Sequence, residues 1–224
     1  MPDPVGTVSH GAVGVLGGTF DPVHLAHLAL ARVALDRLGL AEVRWIPAGQ
    51  PWHRAAPGAS AAARVAMVQA AIADEPRFVL DASEADSGSP GYTVDTLARL
   101  RRELGPQRPL VLLMGADAFR GLANWQRWRE LFGLAHIAVA TRPGFPLDDV
   151  PAPLDAEFAA RRLAAADFSS RSAGNIHAFE LVAGTVSATE VRTLLAAGAA
   201  DCRLLELLPA PVLDYIRRNH LYSR

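Results

Sequence analysis

The chain has 224 residues, half of them hydrophobic and a fifth charged, a balance that suits one folded α/β domain and excludes a disordered or fibrous chain. A formal net charge of −1 leaves no global positive field for holding a long nucleic acid, so an anionic ligand has to be met by a local site. The single cysteine, Cys202, excludes an internal disulfide and a cysteine-rich zinc site.

The opening MPDPVGTVSHGAVGVLGG lacks the basic flank and clean apolar run of a signal peptide, and no later stretch approaches ~18 uninterrupted apolar residues. A cytoplasmic chain with no membrane association is expected. Oligomeric state is not legible.

In chain order, apolar runs predict strands over Ala12 to Leu16, Val43 to Ile46, Phe78 to Leu80, Leu110 to Met114, Ile137 to Ala140 and Phe179 to Val182. The segment PVHLAHLALARVALDRLG carries apolar residues at Leu25, Leu28, Ala29, Leu35 and Leu38 before Gly39, which predicts a helix between the first two strands. Further helices are expected over Ala61 to Asp74 and Val94 to Leu104, with short helical pieces from Asp117 to Phe132. The last part of the chain predicts helices near Ala188 to Ala197, Arg203 to Leu208 and Pro211 to Asn219. The alternation reads as a Rossmann-like, doubly wound parallel sheet with C-terminal helices. Residues 1–224 form one expected domain, in which residues 1–10 are a candidate for disorder and 144–176 for a helical excursion or mobile loop.

Gly17 and Gly18 follow the first strand, where glycine lets the backbone approach a ligand and expose N–H groups to phosphate. Asp21 reads as the N-cap of the next helix and Pro22 as its first residue. His24 and His27 then share a face at the positive end of the helix dipole, against the blander reading of a solvated His-x-x-His face. No third ligand with sensible spacing makes them a metal pair. Near the other end, Ser187 and Glu190 are spaced as a capping box, which taken alone makes Arg192 a surface residue.

The whole string GGTFDPVHLAH resembles the GGTFDPxHxGH signature of the nucleotidylyltransferase superfamily, with Ala26 standing where glycine is usual. SATEVR resembles that superfamily's ISSTxIR motif, in which hydroxyls, a helix N-terminus and an arginine hold the β and γ phosphates of ATP. The middle of the chain resembles the nicotinate mononucleotide adenylyltransferase family: IPAGQPWHR, with Trp52 in place of a proline, GYTVDTL, LLMGADAFRGLANWQRW and TRPG each match one of its segments. The resemblance runs from Val15 to about Leu221, with gaps around Leu147 to Ala173.

It implies an enzyme that joins AMP from ATP to nicotinate mononucleotide, with ATP held by Gly17, Gly18, Thr19, Phe20, Gly115, Asp117, Ser187, Thr189 and Arg192. His24, His27 and Arg192 are the implied catalytic residues, and His53, Arg54, Tyr92, Thr93 and Trp125 the implied acceptor contacts. The nucleophile is already an anion, so no general base is required, and catalysis rests on positioning and charge. Mg²⁺ is expected to arrive with ATP, since no carboxylate cluster marks a cage and no residue is assigned as a metal ligand. For acceptor choice, Thr93 reads as a helix N-cap whose following amides receive the nicotinate carboxylate, with Trp125 stacked on the ring.

Duller roles stand beside each of these: Trp125 and Trp128 as core aromatics, Asp117 as an N-cap, Tyr92 as a packing residue. His10, His136, His177 and His220 match no motif, and Arg99, Arg101 and Arg102 read as a solvated helix face. The alternatives are a sibling transferase for nicotinamide mononucleotide or phosphopantetheine, and a nucleotide-binding sensor without chemistry. A class I aminoacyl-tRNA synthetase is discounted, because the chain has neither a KMSKS-like loop nor an anticodon-binding extension.

Overall fold

The computed structural model describes residues 11–49, 57–87, 91–144, 147–163, 168, 170–182 and 186–223. Its strands are β1 (Val13–Gly18), β2 (Glu42–Pro47), β3 (Phe78–Leu80), β4 (Leu110–Gly115), β5 (His136–Thr141), β6 (Arg162–Leu163) and β7 (Ile176–Glu180). They form one sheet in the order β3-β2-β1-β4-β5-β7-β6, and every pairing is parallel. The expected Rossmann-like α/β architecture is what the chain adopts.

The helices are α1 (Leu25–Arg37), α2 (Ala61–Ile72), α3 (Ser83–Ser87), α4 (Thr93–Leu104), α5 (Ala116–Arg120), α6 (Leu131–Leu134), α7 (Leu154–Arg161), α8 (Ala188–Ala196), α9 (Asp201–Leu205) and α10 (Ala210–Arg218), with 3-10 turns at Leu122–Asn124 and Trp128–Glu130. Two apolar layers sandwich the sheet, and strand alternation assigns residues to them. Val13, Val15, Leu110, Leu112, Ile137 and Val139 face the layer that holds Leu97 and Leu100 of α4. Leu16, Val111, Leu113, Ala138 and Ala140 face the layer made by α1, α2 and the C-terminal helices.

Several local endings follow known chain chemistry. Gly39, at φ +59°, lets the amide of Leu40 reach back to the carbonyl of Leu35 at 3.0 Å and closes α1. At the end of α10 the same reversal is made by His220, a non-glycine at φ +50°. Its amide bonds the Arg217 carbonyl at 3.3 Å, while the Leu221 amide bonds Ile216 at 3.1 Å.

Three expectations need correction. The last strand is Ile176–Glu180 rather than Phe179 to Val182: His177 interrupts the apolar run, but its Nδ1 lies 3.2 Å from the Leu163 carbonyl of β6. The helix expected over Arg203 to Leu208 spans Asp201–Leu205. Within 144–176, for which a helical excursion or a mobile loop is expected, the described residues include α7 and β6, anchored by the buried Leu147, Leu154 and Phe158. Arg99 and Arg101 are half-buried and tied down rather than free on a solvated face: Arg99 reaches the Asp81 carboxylate at 2.5 Å, and Arg101 donates to the carbonyls of Arg108, Leu134 and Ser172.

Candidate active site

The sheet order reverses between β1 and β4, and a parallel sheet opens a crevice at the carboxyl ends of such strands. Here β1 pairs with β4 only from Val13–Leu110 to Val15–Leu112. Beyond that level β1 continues along β2 to Gly18–Pro47, and β4 along β5 to Gly115–Ala140. The two strands therefore part, with Gly17 and Gly18 on one lip and Gly115 on the other. A Cβ added at Gly17 or at Gly115 would meet, among the described residues other than its chain neighbours, no atom within 4 Å, whereas one at Gly18 would stand 3.1 Å from the Phe20 ring.

After Gly18 the chain turns sharply. Phe20 adopts φ +50°, and its ring is buried against Trp45 and His27, with centroids 5.5 and 5.0 Å away. Any contact of Phe20 with a nucleotide is thus through its backbone. The carbonyl of Thr19 accepts from Nη1 of Arg64 at 2.7 Å.

The expected start of α1 is wrong by three residues. The Asp21–Pro22 peptide is cis, and the helix begins at Leu25 with His24 as N-cap. Asp21 does not cap because its carboxylate is taken elsewhere: by the amides of Gly58 (2.7 Å) and Ala59 (3.0 Å) and by the hydroxyl of Tyr222 (2.7 Å). The cap falls to His24, whose backbone N–H donates to Nδ1 of His27 at 3.2 Å.

That bond leaves the His27 proton on Nε2 in the neutral ring. The two imidazoles stack at 3.7 Å between centroids. His24 is 6% exposed, its Nδ1 is buried without a partner among the described residues, and desolvation pushes its pKa down to about 4. His24 is therefore neutral near pH 7, and both rings offer dipoles at a helix start.

The second motif caps α8 and reaches back to the first. Ser187 Oγ accepts from the Glu190 amide at 3.1 Å, so its own proton stays available for donation. The Glu190 carboxylate lies 3.8 Å from Arg203, so its charge is shared with α9. Arg192 is not a loose surface residue: Nη1 donates to the Asp21 carbonyl at 2.7 Å, and Nη2 to Thr189 Oγ1 at 3.3 Å. A cavity of about 490 Å³ opens against α8, lined by Thr189, Arg192, Thr193, Ala196 and Ala197.

On the acceptor side, His53, Arg54 and Trp52 lie outside the described residues. Thr93 is the first residue of α4 and Tyr92 the N-cap, which corrects the capping role expected of Thr93. Its own amide thereby becomes one of the free N–H groups at the helix start. Trp125 is half-buried at the rim of the core, while Trp128 is 7% exposed and fills it. Arg127, at φ +50°, is paired with Asp95 of α4 and lies 3.6 Å from Glu130. Gly115 is the N-cap of α5, and Asp117 points outward, 96% exposed, 3.4 Å from Arg120.

Sequence reasoning missed Arg64 and Tyr222. Arg64 is fully buried, and besides Thr19 it holds the carbonyls of Ala48 (2.6 Å) and Gly49 (2.8 Å). Its signal was a lone charge in the apolar run AAARVAMV. Tyr222 carries no local signal at all. Among the described residues, no three His, Cys, Asp or Glu side chains converge as a metal cage, and no helix is long and apolar enough to cross a membrane.

Residues 15–194 match the model of the cytidylyltransferase-like family. A protein of Dechloromonas aromatica described as "Probable nicotinate-nucleotide adenylyltransferase" is 51% identical over 213 residues, covering 94% of this chain and 97% of the relative. One of Laribacter hongkongensis with the same description is 50% identical, covering 94% of each. Among solved structures, the nicotinic acid mononucleotide adenylyltransferase of Plasmodium falciparum complexed with NaAD is similar in fold. Its TM-score is 0.71 at 17% identity, over 95% of this chain and 98% of that one.

Proposed function

The chain belongs to the cytidylyltransferase-like family and, within it, to the nicotinate-nucleotide adenylyltransferases, and from that premise we propose how its own residues carry the reaction. It is a nucleotidyltransferase that joins AMP from ATP to nicotinate mononucleotide, a step of NAD biosynthesis. An oxygen of the mononucleotide phosphate attacks the α phosphorus, the bond from that phosphorus to the bridging oxygen of the β phosphate breaks, and pyrophosphate leaves.

The observation that carries this reading is the 2.7 Å bond from Arg192 to the Asp21 carbonyl, which joins the two end motifs across 171 residues. ATP lies across the lips of the β1–β4 crevice, with phosphates toward the Gly17–Gly18 turn. His24 and His27 stand at the transferring phosphoryl group, where Nε2–H of His27 stabilises charge as it grows. The hydroxyls of Ser187 and Thr189 and the remaining donors of Arg192 hold the departing pyrophosphate. Mg²⁺ comes as part of the ATP complex and screens its phosphates.

The acceptor sits between α4 and Trp125. The Thr93 and Val94 amides receive the nicotinate carboxylate, since Arg127 is already committed to Asp95. The near-neutral chain and small anionic substrates support a single domain in the cytoplasm that works without nucleic acid or membrane. Pyrophosphate release measured side by side with nicotinate mononucleotide, nicotinamide mononucleotide and phosphopantetheine tests the assignment. Release with nicotinate mononucleotide above the others is expected. Preference for another acceptor would reassign the substrate, and no release with any would make the chain a sensor.

A further inference from the structure

Asp21 is the point at which four distant pieces of chain meet. Its carboxylate accepts from Gly58, Ala59 and the Tyr222 hydroxyl, and its carbonyl accepts from Arg192. The carboxylate is 3.6 Å from the same guanidinium. The cluster is tightly packed: a Cβ on Gly58 would stand 3.1 Å from the Tyr222 ring and 3.6 Å from Cδ of Arg192. Burial and the neighbouring carboxylate push the Tyr222 phenol upward, so it stays a proton donor at any working pH.

The route by which Tyr222 arrives is costly. Both His220 and Tyr222 adopt left-handed backbone, at φ +50° and +60°. A bulky non-glycine residue in that region is strained and persists only where its surroundings hold it. The reversal at His220 ends α10, and the second left-handed residue brings the phenol onto Asp21 from 201 positions away.

We propose that Tyr222 is a positioning residue for the transfer: its hydroxyl fixes Asp21, and Asp21 in turn fixes Arg192 on the leaving pyrophosphate. The proposal rests on the placement of Arg192 given above. Without the phenol, the Asp21 carboxylate keeps the Gly58 and Ala59 amides, one on each oxygen, but loses its tie to the C-terminal segment. The loop can then shift, and the carbonyl that orients Arg192 shifts with it.

Tyr222→Phe removes one oxygen and keeps the ring over Gly58, so the variant is expected to unfold within a few degrees of the parent. Its kcat should fall roughly tenfold, a typical loss for one hydrogen bond to a charged group, and affinity for inorganic pyrophosphate should weaken similarly. KM for the mononucleotide should stay unchanged. In an Arg192→Lys background, Tyr222→Phe should add no further loss, because both act through one guanidinium. Parental kcat and pyrophosphate affinity in the Phe variant, or losses that simply add in the double variant, would overturn the proposal. Pyrophosphate titration needs no acceptor, so it judges Tyr222 even if the parent enzyme transfers AMP to something else.

Discussion

The rings of His24 and His27 lie face to face, 3.7 Å apart and inclined by 23°, with the His24 backbone N–H bound to the His27 ring. Two imidazoles so close cannot both carry a proton cheaply, and the buried His24 acts best as a neutral group at the end of a helix. His24→Ala or His27→Ala should lower kcat by roughly 10² with little change in ATP affinity, the range found for loss of one donor to a growing oxyanion. A folded double variant with near-parental kcat, measured by pyrophosphate release, would take both rings out of the mechanism.

The same burial has a consequence for stability. His24 binds its proton with a pKa of about 4 in the folded chain against 6.5 for the free side chain. Between those values the unfolded chain holds a proton that the folded chain lacks, so folding stability falls as pH drops from about 6.5 towards 4 and levels off below. Full expression of the difference is on the order of 3 kcal/mol. Urea titrations at pH 7.5 and pH 4.5 should show the parent losing more stability than His24→Asn. Equal losses in the two proteins would reject this origin.

Gly17 and Gly115 lie on the two strands, β1 and β4, that part beyond Val15–Leu112, and side chains there would meet, beyond their chain neighbours, no atom of the described residues within 4 Å. Gly17→Ala and Gly115→Ala should therefore leave the melting temperature nearly unchanged while raising KM for ATP several-fold, because the new methyl groups occupy the ligand's room rather than the protein's. Thermal unfolding with ATP titration of each variant checks this. An unchanged KM at both positions would move the nucleotide away from the crevice.

At the acceptor end, Trp125 is half-buried beside a core that Trp128 already fills. Trp125→Ala should stay folded and raise KM for nicotinate mononucleotide far more than KM for ATP. The parent should prefer the acid acceptor to the amide by roughly tenfold to hundredfold, since an amide would leave a buried N–H of α4 unpaired at about 1–3 kcal/mol. Equal kcat/KM for the two acceptors would show that these backbone donors do not select the carboxylate.

What was legible in the sequence was what short spacing encodes. The apolar run from Ala12 to Leu16 marked the first strand, and Gly39 marked the end of α1. Ser187 capped α8 as its spacing implies. Asp21 misled because Asp-Pro is a good helix start by local rules, and those rules contain nothing about Gly58, Ala59 or Tyr222 competing for the carboxylate. Arg64 and Tyr222 escaped for the same reason, since their partners are set by topology. Thr93 was displaced by one residue, which turned an expected cap into a free amide.

The bond between Asp21 and Tyr222 also bears on the order in which the molecule assembles. Its two ends are 201 residues apart, and closing so long a loop costs chain entropy that no local contact offsets. The parallel sheet has to form first and bring α10 against α2 before the phenol can find the carboxylate. During refolding, far-ultraviolet signals of helix and sheet should therefore recover ahead of pyrophosphate affinity, leaving an interval in which the chain has its architecture but not yet its grip on phosphate.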